Sequence, residues 1–203
     1  WTTYTSGTAF TIGSGVTGTR YLFVKRVNDV VGNTSTTNGT ATTISSVTYQ
    51  RFGSYVFDNT APTLSSINVT SPAAGTYKAG QAVTIVATYS GNIYGTNAGV
   101  AVTSSTAPTL KIKFGTSTER TATFSSTSGA TITYTYTIAS GDNGTLATTS
   151  YSGTVYDAAG NSLSVSNKTI GGNAIVADTT APTCTITANP SASPTNASSI
   201  TYT

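Results

Sequence analysis

Apolar and polar residues alternate with a period of two through much of the chain. In "TITYTYTI" Ile132, Tyr134, Tyr136 and Ile138 fall on one face and threonines on the other. In "TLKIKF" Leu110, Ile112 and Phe114 alternate with Lys111 and Lys113, and in "AVTIVATY" Val83, Ile85, Ala87 and Tyr89 share a side. Successive side chains of a strand point to opposite faces. Each run is therefore expected to be a half-buried strand, with its apolar set inward and both lysines in solvent. Gly-rich breaks at 73–75, 91–95, 140–144 and 158–161 separate the runs, and no stretch carries the helical period. Short strands so spaced predict an all-β chain of β-sandwich type.

The order of these pieces repeats. "DNTAPT" stands at Asp58–Thr63 and "DTTAPT" at Asp178–Thr183. The pattern D-x-x-G-N stands at Asp29/Gly32/Asn33 and again at Asp157/Gly160/Asn161, each time after an alternating strand and before an acid-led T-A-P-T. Repetition on this scale reads as an array of modules. Its phase gives 1–57 as the C-terminal part of a first module and 58–177 as a complete one. Residues 178–203 are then the N-terminal strands of a third module, or of one completed by another chain. A further T-A-P-T at Thr106–Thr109 has no Asp before it and reads as coincidence.

Composition sharpens this picture. Charged residues make up 7% of the chain, against roughly 25% in an ordinary soluble domain. Their places are taken by Thr and Ser, in a background of Val, Ile and Tyr that prefers strands and does not fit the disordered class. The net charge is +3. No basic run exceeds Lys25–Arg26, so there is no stripe for nucleic acid. No apolar run reaches the length of about 18 residues that membrane insertion as a helix requires. The chain has no His, which removes the commonest general base and metal-ligating side chain. Its single Cys, Cys184, follows the second T-A-P-T as Leu64 follows the first, and is expected to be a small core residue. Tyr94 is the best candidate for an exposed aromatic ring that could stack on a sugar.

The D-x-T-A-P-T linkers and the "DAAGN" turn, together with "GTYKAGQAVTIVATYS", "TLKIKFGTSTERTATF" and "ITYTYTIASGDNGTL", carry a resemblance. The chain resembles the tandem bacterial immunoglobulin-like (Ig-like) domains of large extracellular surface and adhesin proteins. The resemblance implies immunoglobulin-like β-sandwiches arranged end to end outside the cell, forming a stalk, filament or adhesin array that spaces or polymerises. It implies no catalysis. The partners it implies are neighbouring Ig-like domains of the same or identical chains, and a glycan or host-surface ligand. Two alternatives stand beside it: a binding module that recognises a glycan or host protein through its pole loops, and an accessory array of an extracellular enzyme.

The acids are the candidate chemistry. In such a sandwich the turn between the last two strands lies at the incoming pole, which would bring Asp157 to Asp58. The loop before the penultimate strand lies at the outgoing pole, which would bring Asp142 of "SGDNG" to Asp178. Clustered carboxylates with nearby carbonyls suit Ca²⁺. Asp58, Asp157, Asp142 and Asp178 are therefore candidate ligands for Ca²⁺ at the domain junctions, the one cofactor considered. The competing reading is turn chemistry, in which an Asp binds its own backbone and Gly supplies the positive φ. Two acids per junction also fall short of a coordination sphere. The incomplete end modules raise one more expectation. Either they are cut from a longer chain, or strands around Thr183–Ile186 and Ser199–Thr203 insert beside Tyr21–Val27 of the next copy.

Overall fold

The computed structural model describes residues 18–25, 40–44, 47–185, 188–189 and 201–202. Among the described residues every regular element is a strand, so the chain is all-β. Strands β1 (Gly18–Lys25), β2 (Thr40–Ile44) and β3 (Val47–Phe57) form an antiparallel sheet with β3 in the middle. A ten-stranded sheet follows. Its strands are β4 (Leu64–Ser71), β5 (Gly75–Tyr77), β6 (Ala82–Tyr89), β7 (Thr109–Phe114), β8 (Arg120–Ser128), β9 (Thr131–Thr137), β10 (Gly144–Tyr156), β11 (Ser162–Val165), β12 (Ile170–Gly172) and β13 (Ile175–Ala177). Last come β14 (Ala188–Asn189) and β15 (Thr201–Tyr202), which pair with each other.

The ten-stranded sheet is curled, with β12 and β5 as the ends of its strand order. Its order is β12-β4-β6-β9-β8-β7-β10-β13-β5, with β11 attached to β10. Two parallel pairings tie the first strands to the last. Ile170 of β12 lies opposite Ile67 of β4, and Ile175 of β13 lies opposite Gly75 of β5. Between them, Asn173 donates its backbone N–H to the Val69 carbonyl at 3.0 Å and its side-chain amide to the Pro72 carbonyl at 2.7 Å. Pairing the first strands with the last covers edges that would otherwise stand unpaired, the feature that makes open sheets prone to aggregate. It needs a glycine at 172, where φ is +78° and a Cβ would run into the Val69 carbonyl. On the opposite side β8 makes the bend. Arg120–Ala122 pair with β7, and Thr123–Ser128 pair with β9.

Alternation supplies the core between the two halves. Val83, Ile85, Ala87 and Tyr89 of β6, Ile132 and Tyr134 of β9, and Leu110, Ile112 and Phe114 of β7 are all buried. Lys113 is exposed and Lys111 half-buried. The halves also meet through a chain of buried hydroxyls. Tyr134 donates to the Pro108 carbonyl at 2.7 Å, Tyr134 and Tyr151 lie 3.1 Å apart, and Tyr151 and Tyr89 lie 2.7 Å apart. A tyrosine has one hydrogen to give. Since Tyr134 spends its own on Pro108, Tyr151 must donate to Tyr134, and Tyr89 to Tyr151. The chain thus runs in one direction from β6 through β10 and β9 to the backbone before β7.

Three expectations need correction. Tyr136, expected in the core, is half-buried. Its ring still meets Phe114, with centroids 6.1 Å apart, and its hydroxyl donates to Asp142 in the loop after β9. Cys184, expected to be a small core residue, is exposed. Leu64 packs against the core because β4 is paired to β6, whereas residues 181–185 belong to no strand. Tyr94 is half-buried, held by a bridge to Tyr156. Of the segments expected to exchange between copies, Thr183–Thr185 belongs to no strand, Thr201–Tyr202 pairs with β14, and Ile186, Ser199–Ile200 and Thr203 lie outside the described residues. So do Asp29, Gly32 and Asn33 of the first D-x-x-G-N.

Candidate functional site: the two linker junctions

The two repeated hexapeptides make the same local turn. Asp58 Oδ1 accepts the backbone N–H of Thr60 at 2.9 Å, and Asp178 Oδ1 accepts that of Thr180 at 3.1 Å. In each case a short acid closes a turn on the residue two places on. An acid heads both linkers because the turn needs an oxygen acceptor there. Both Asp58 and Asp178 are exposed.

At the incoming linker the partner is the "DAAGN" turn, which connects β10 to β11. Asp157 Oδ1 accepts the backbone N–H groups of Ala159 and Asn161, both at 2.9 Å, and Oδ2 accepts the Asn161 side-chain amide at 2.9 Å. Burial pushes the Asp157 carboxyl up, but the donors of Asn161, Ala159 and Gly160 outweigh it, and its pKa lies below the ordinary Asp value. Held this way, Asn161 gives a second side-chain hydrogen to the Asp58 carbonyl at 2.8 Å. The turn and the linker do come together. The contact is made by Asn161 and a main-chain oxygen, and each carboxylate serves its own turn.

At the outgoing linker the partner is the loop between β9 and β10. Asp142 is fully buried, at 0% exposure, and points inward. Its Oδ1 receives Arg120 Nε at 3.0 Å, and its Oδ2 receives the Tyr136 hydroxyl at 2.6 Å and the Ala139 N–H at 2.9 Å. Burial pushes this carboxyl up too, and the donors from Tyr136, Ala139 and Arg120 bring it below the usual range. The neighbours of Asp142 hold the linker instead. Asn143 Oδ1 accepts the Thr179 N–H at 2.8 Å, and the Gly141 N–H donates to Thr179 Oγ1 at 3.0 Å. The Asp178 N–H completes the dock by donating to the Tyr77 carbonyl at 2.9 Å.

Sequence reasoning missed Arg120, Asn143 and Asn161. Their roles are set by partners far along the chain, Asp142, Thr179 and Asp58, which no local pattern points to. Glu119, next to Arg120, faces solvent, 2.8 Å from Lys111. The T-A-P-T at Thr106–Thr109 also has a role. Pro62 and Pro108 are both buried, and each stands two residues before a strand residue of the sequence Thr-Leu that leads into β4 or β7. Among the described residues no group of three or more His, Cys, Asp or Glu side chains gathers at one place. No protein-family model, curated protein or solved structure matches this chain.

Proposed function

We propose that residues 58–177 form one immunoglobulin-like β-sandwich in an end-to-end extracellular array, and that its function is to space: a stalk, filament or adhesin shaft. One observation carries this reading. The incoming linker is held by Asn161, just beyond the end of β10, and the outgoing linker by Asn143, just before its start. The 13 residues of β10, at about 3.3 Å each, separate the two docks by about 40 Å. A module that takes its chain in at one end and releases it at the other extends an array. One that did both at the same end would fold the array back.

The parallel pairing of first and last strands suits the same role. β4 leads away from the incoming linker and β13 leads into the outgoing one, side by side in the same direction with β5 and β12. Tension between the linkers would load these backbone bonds together along the strands. The exposed faces are Thr- and Ser-rich, with little apolar surface; Val56 and Val100 are the large apolar residues exposed among the described ones.

Small-angle scattering of the full chain tests the reading. A rod-like profile whose cross-section matches one module supports it, and a compact profile with a maximum dimension near that of the central module alone would exclude it. Binding of the same chain to a glycan or host-surface protein through the pole loops would instead favour the recognition alternative.

A further inference from the structure

We propose that the loop 139–143 is a bracket that fixes the direction in which the chain leaves the module, with the buried Asp142 as its positioning residue. The proposal rests on the end-to-end reading above and names the device that would set the stiffness of such an array.

A carboxylate without solvent is costly unless it is paired and hydrogen-bonded. Asp142 meets both conditions with groups from three places: Arg120 at the start of β8, Tyr136 of β9, and the backbone of Ala139 in its own loop. The Asp142 N–H also returns to the Ala139 carbonyl at 3.1 Å. The loop is thus closed on itself and fastened to two strands.

What the arrangement achieves is visible on either side of Asp142. Gly141 and Asn143 are both exposed, and both bind the linker residue Thr179. The flanking glycines 141 and 144 have φ of +89° and +105°, which turn the chain sharply enough for one residue to point in while its neighbours point out. Ser117, from the turn between β7 and β8, braces the loop from the side. Its Oγ accepts the Asn143 N–H at 2.8 Å and donates to the Gly141 carbonyl, 3.0 Å away. Thr179 is therefore held by both its N–H and its hydroxyl against a loop that cannot shift without breaking the half-buried Arg120–Asp142 ion pair. A linker fastened at one residue by two bonds of different direction has lost its freedom to swivel there.

The test uses the full chain and its single cysteine, Cys184, which is exposed just past the linker. A second label at Val100→Cys, on an exposed loop residue, gives a spin–spin distance along the module and across the linker. The native bracket is expected to give a narrow distribution. Asn143→Ala removes the acceptor of the Thr179 N–H, leaving the single bond from Gly141 about which the linker can turn, and leaves the ion pair untouched. It should widen the distribution about twofold, as a freed linker swivels, with the thermal midpoint held. Asp142→Asn should widen it as much and also lower the midpoint. A native-width distribution in Asn143→Ala, or a native chain already as broad as the variants, would overturn the bracket. The mean distance reports separately on the spacer reading: a short mean, with Cys184 folded back towards Val100, would sink that reading while the width still judged the bracket.

Discussion

The side-chain amide of Asn161 donates to the main-chain carbonyl of Asp58 at 2.8 Å, joining two residues 103 positions apart. The contact exists because Asp157 holds the other end of the same side chain at 2.9 Å. Turn and linker are coupled through one amide.

Substitutions at that amide should separate its two tasks. Asp157→Ala removes the acceptor for Ala159, for Asn161 and for the amide, and is expected to cost about 1–3 kcal/mol. Asn161→Ala leaves most of the turn and should cost about 1 kcal/mol, while loosening the segment before Asp58. Chemical denaturation gives the first quantity, and limited proteolysis of the linker gives the second. An Asn161→Ala chain with native stability and a native rate of linker cleavage would mean that the linker contact contributes nothing of its own.

The one-way chain of hydroxyls predicts an order among three conservative variants. Tyr134→Phe strands the Pro108 carbonyl and the Tyr151 hydrogen, and Tyr151→Phe strands the Tyr89 hydrogen and leaves Tyr134 without a donor. Each should cost about 1–3 kcal/mol. Tyr89→Phe removes only the first donor, strands no hydrogen, and should be the mildest. Denaturation midpoints of the three proteins check the order. A Tyr89 variant at least as damaging as the other two would show that the chain runs differently.

The same tyrosines set the alkaline limit. Burial pushes Tyr89 up to about 12, and raises Tyr134 and Tyr151 as well. Unfolded tyrosine ionises near 10. Between these values the unfolded chain holds fewer protons than the folded one, so stability falls as pH rises. The contribution is complete below about pH 10 and is lost as pH climbs through the folded values. Tyrosinate absorbance should show these residues ionising together with unfolding. Their free titration near 10 in a folded protein would contradict the burial described here.

On the acid side the sign reverses. Asp142 and Asp157 both lie below the ordinary Asp value, so the unfolded chain takes up protons first as pH drops below about 4. Their stabilisation is present above that pH and disappears as pH falls through the folded values. Asp142→Asn should flatten the acid limb of the melting profile, and a profile identical to that of the native chain would show the ion pair to be without weight.

Chelation distinguishes turn chemistry from metal. The carboxylates of Asp58, Asp157, Asp142 and Asp178 each already accept hydrogen bonds within the protein. Excess chelator is therefore expected to leave the thermal midpoint and the scattering profile unchanged. A lower midpoint restored by Ca²⁺ would instead assign Asp58 and Asp157 to an ion at the junction.

The sequence by itself determined the strands and their facing. Period-two alternation in β6, β7 and β9 is a local property, because a strand's side chains alternate whatever it pairs with, and the buried set follows from it except at Tyr136. It also raised turn chemistry for the hexapeptides beside Ca²⁺ ligation, since an Asp two residues before a backbone N–H needs no distant partner; the structure shows the turns. What only the tertiary structure decided is which residues meet across the fold. The parallel pairing of β4 and β5 with β12 and β13 depends on partners about 100 residues apart, to which no local pattern is sensitive. Asp142 carries the same lesson. Its place in a Gly-rich loop made it a candidate ligand beside Asp178 in the outgoing linker. The positive φ of Gly141 and Gly144 turned it inward to Arg120 and Tyr136 and left Asn143 to hold the linker. A side chain's direction in a loop is set by what surrounds it, and the surroundings here come from two separate strands and the loop's own backbone.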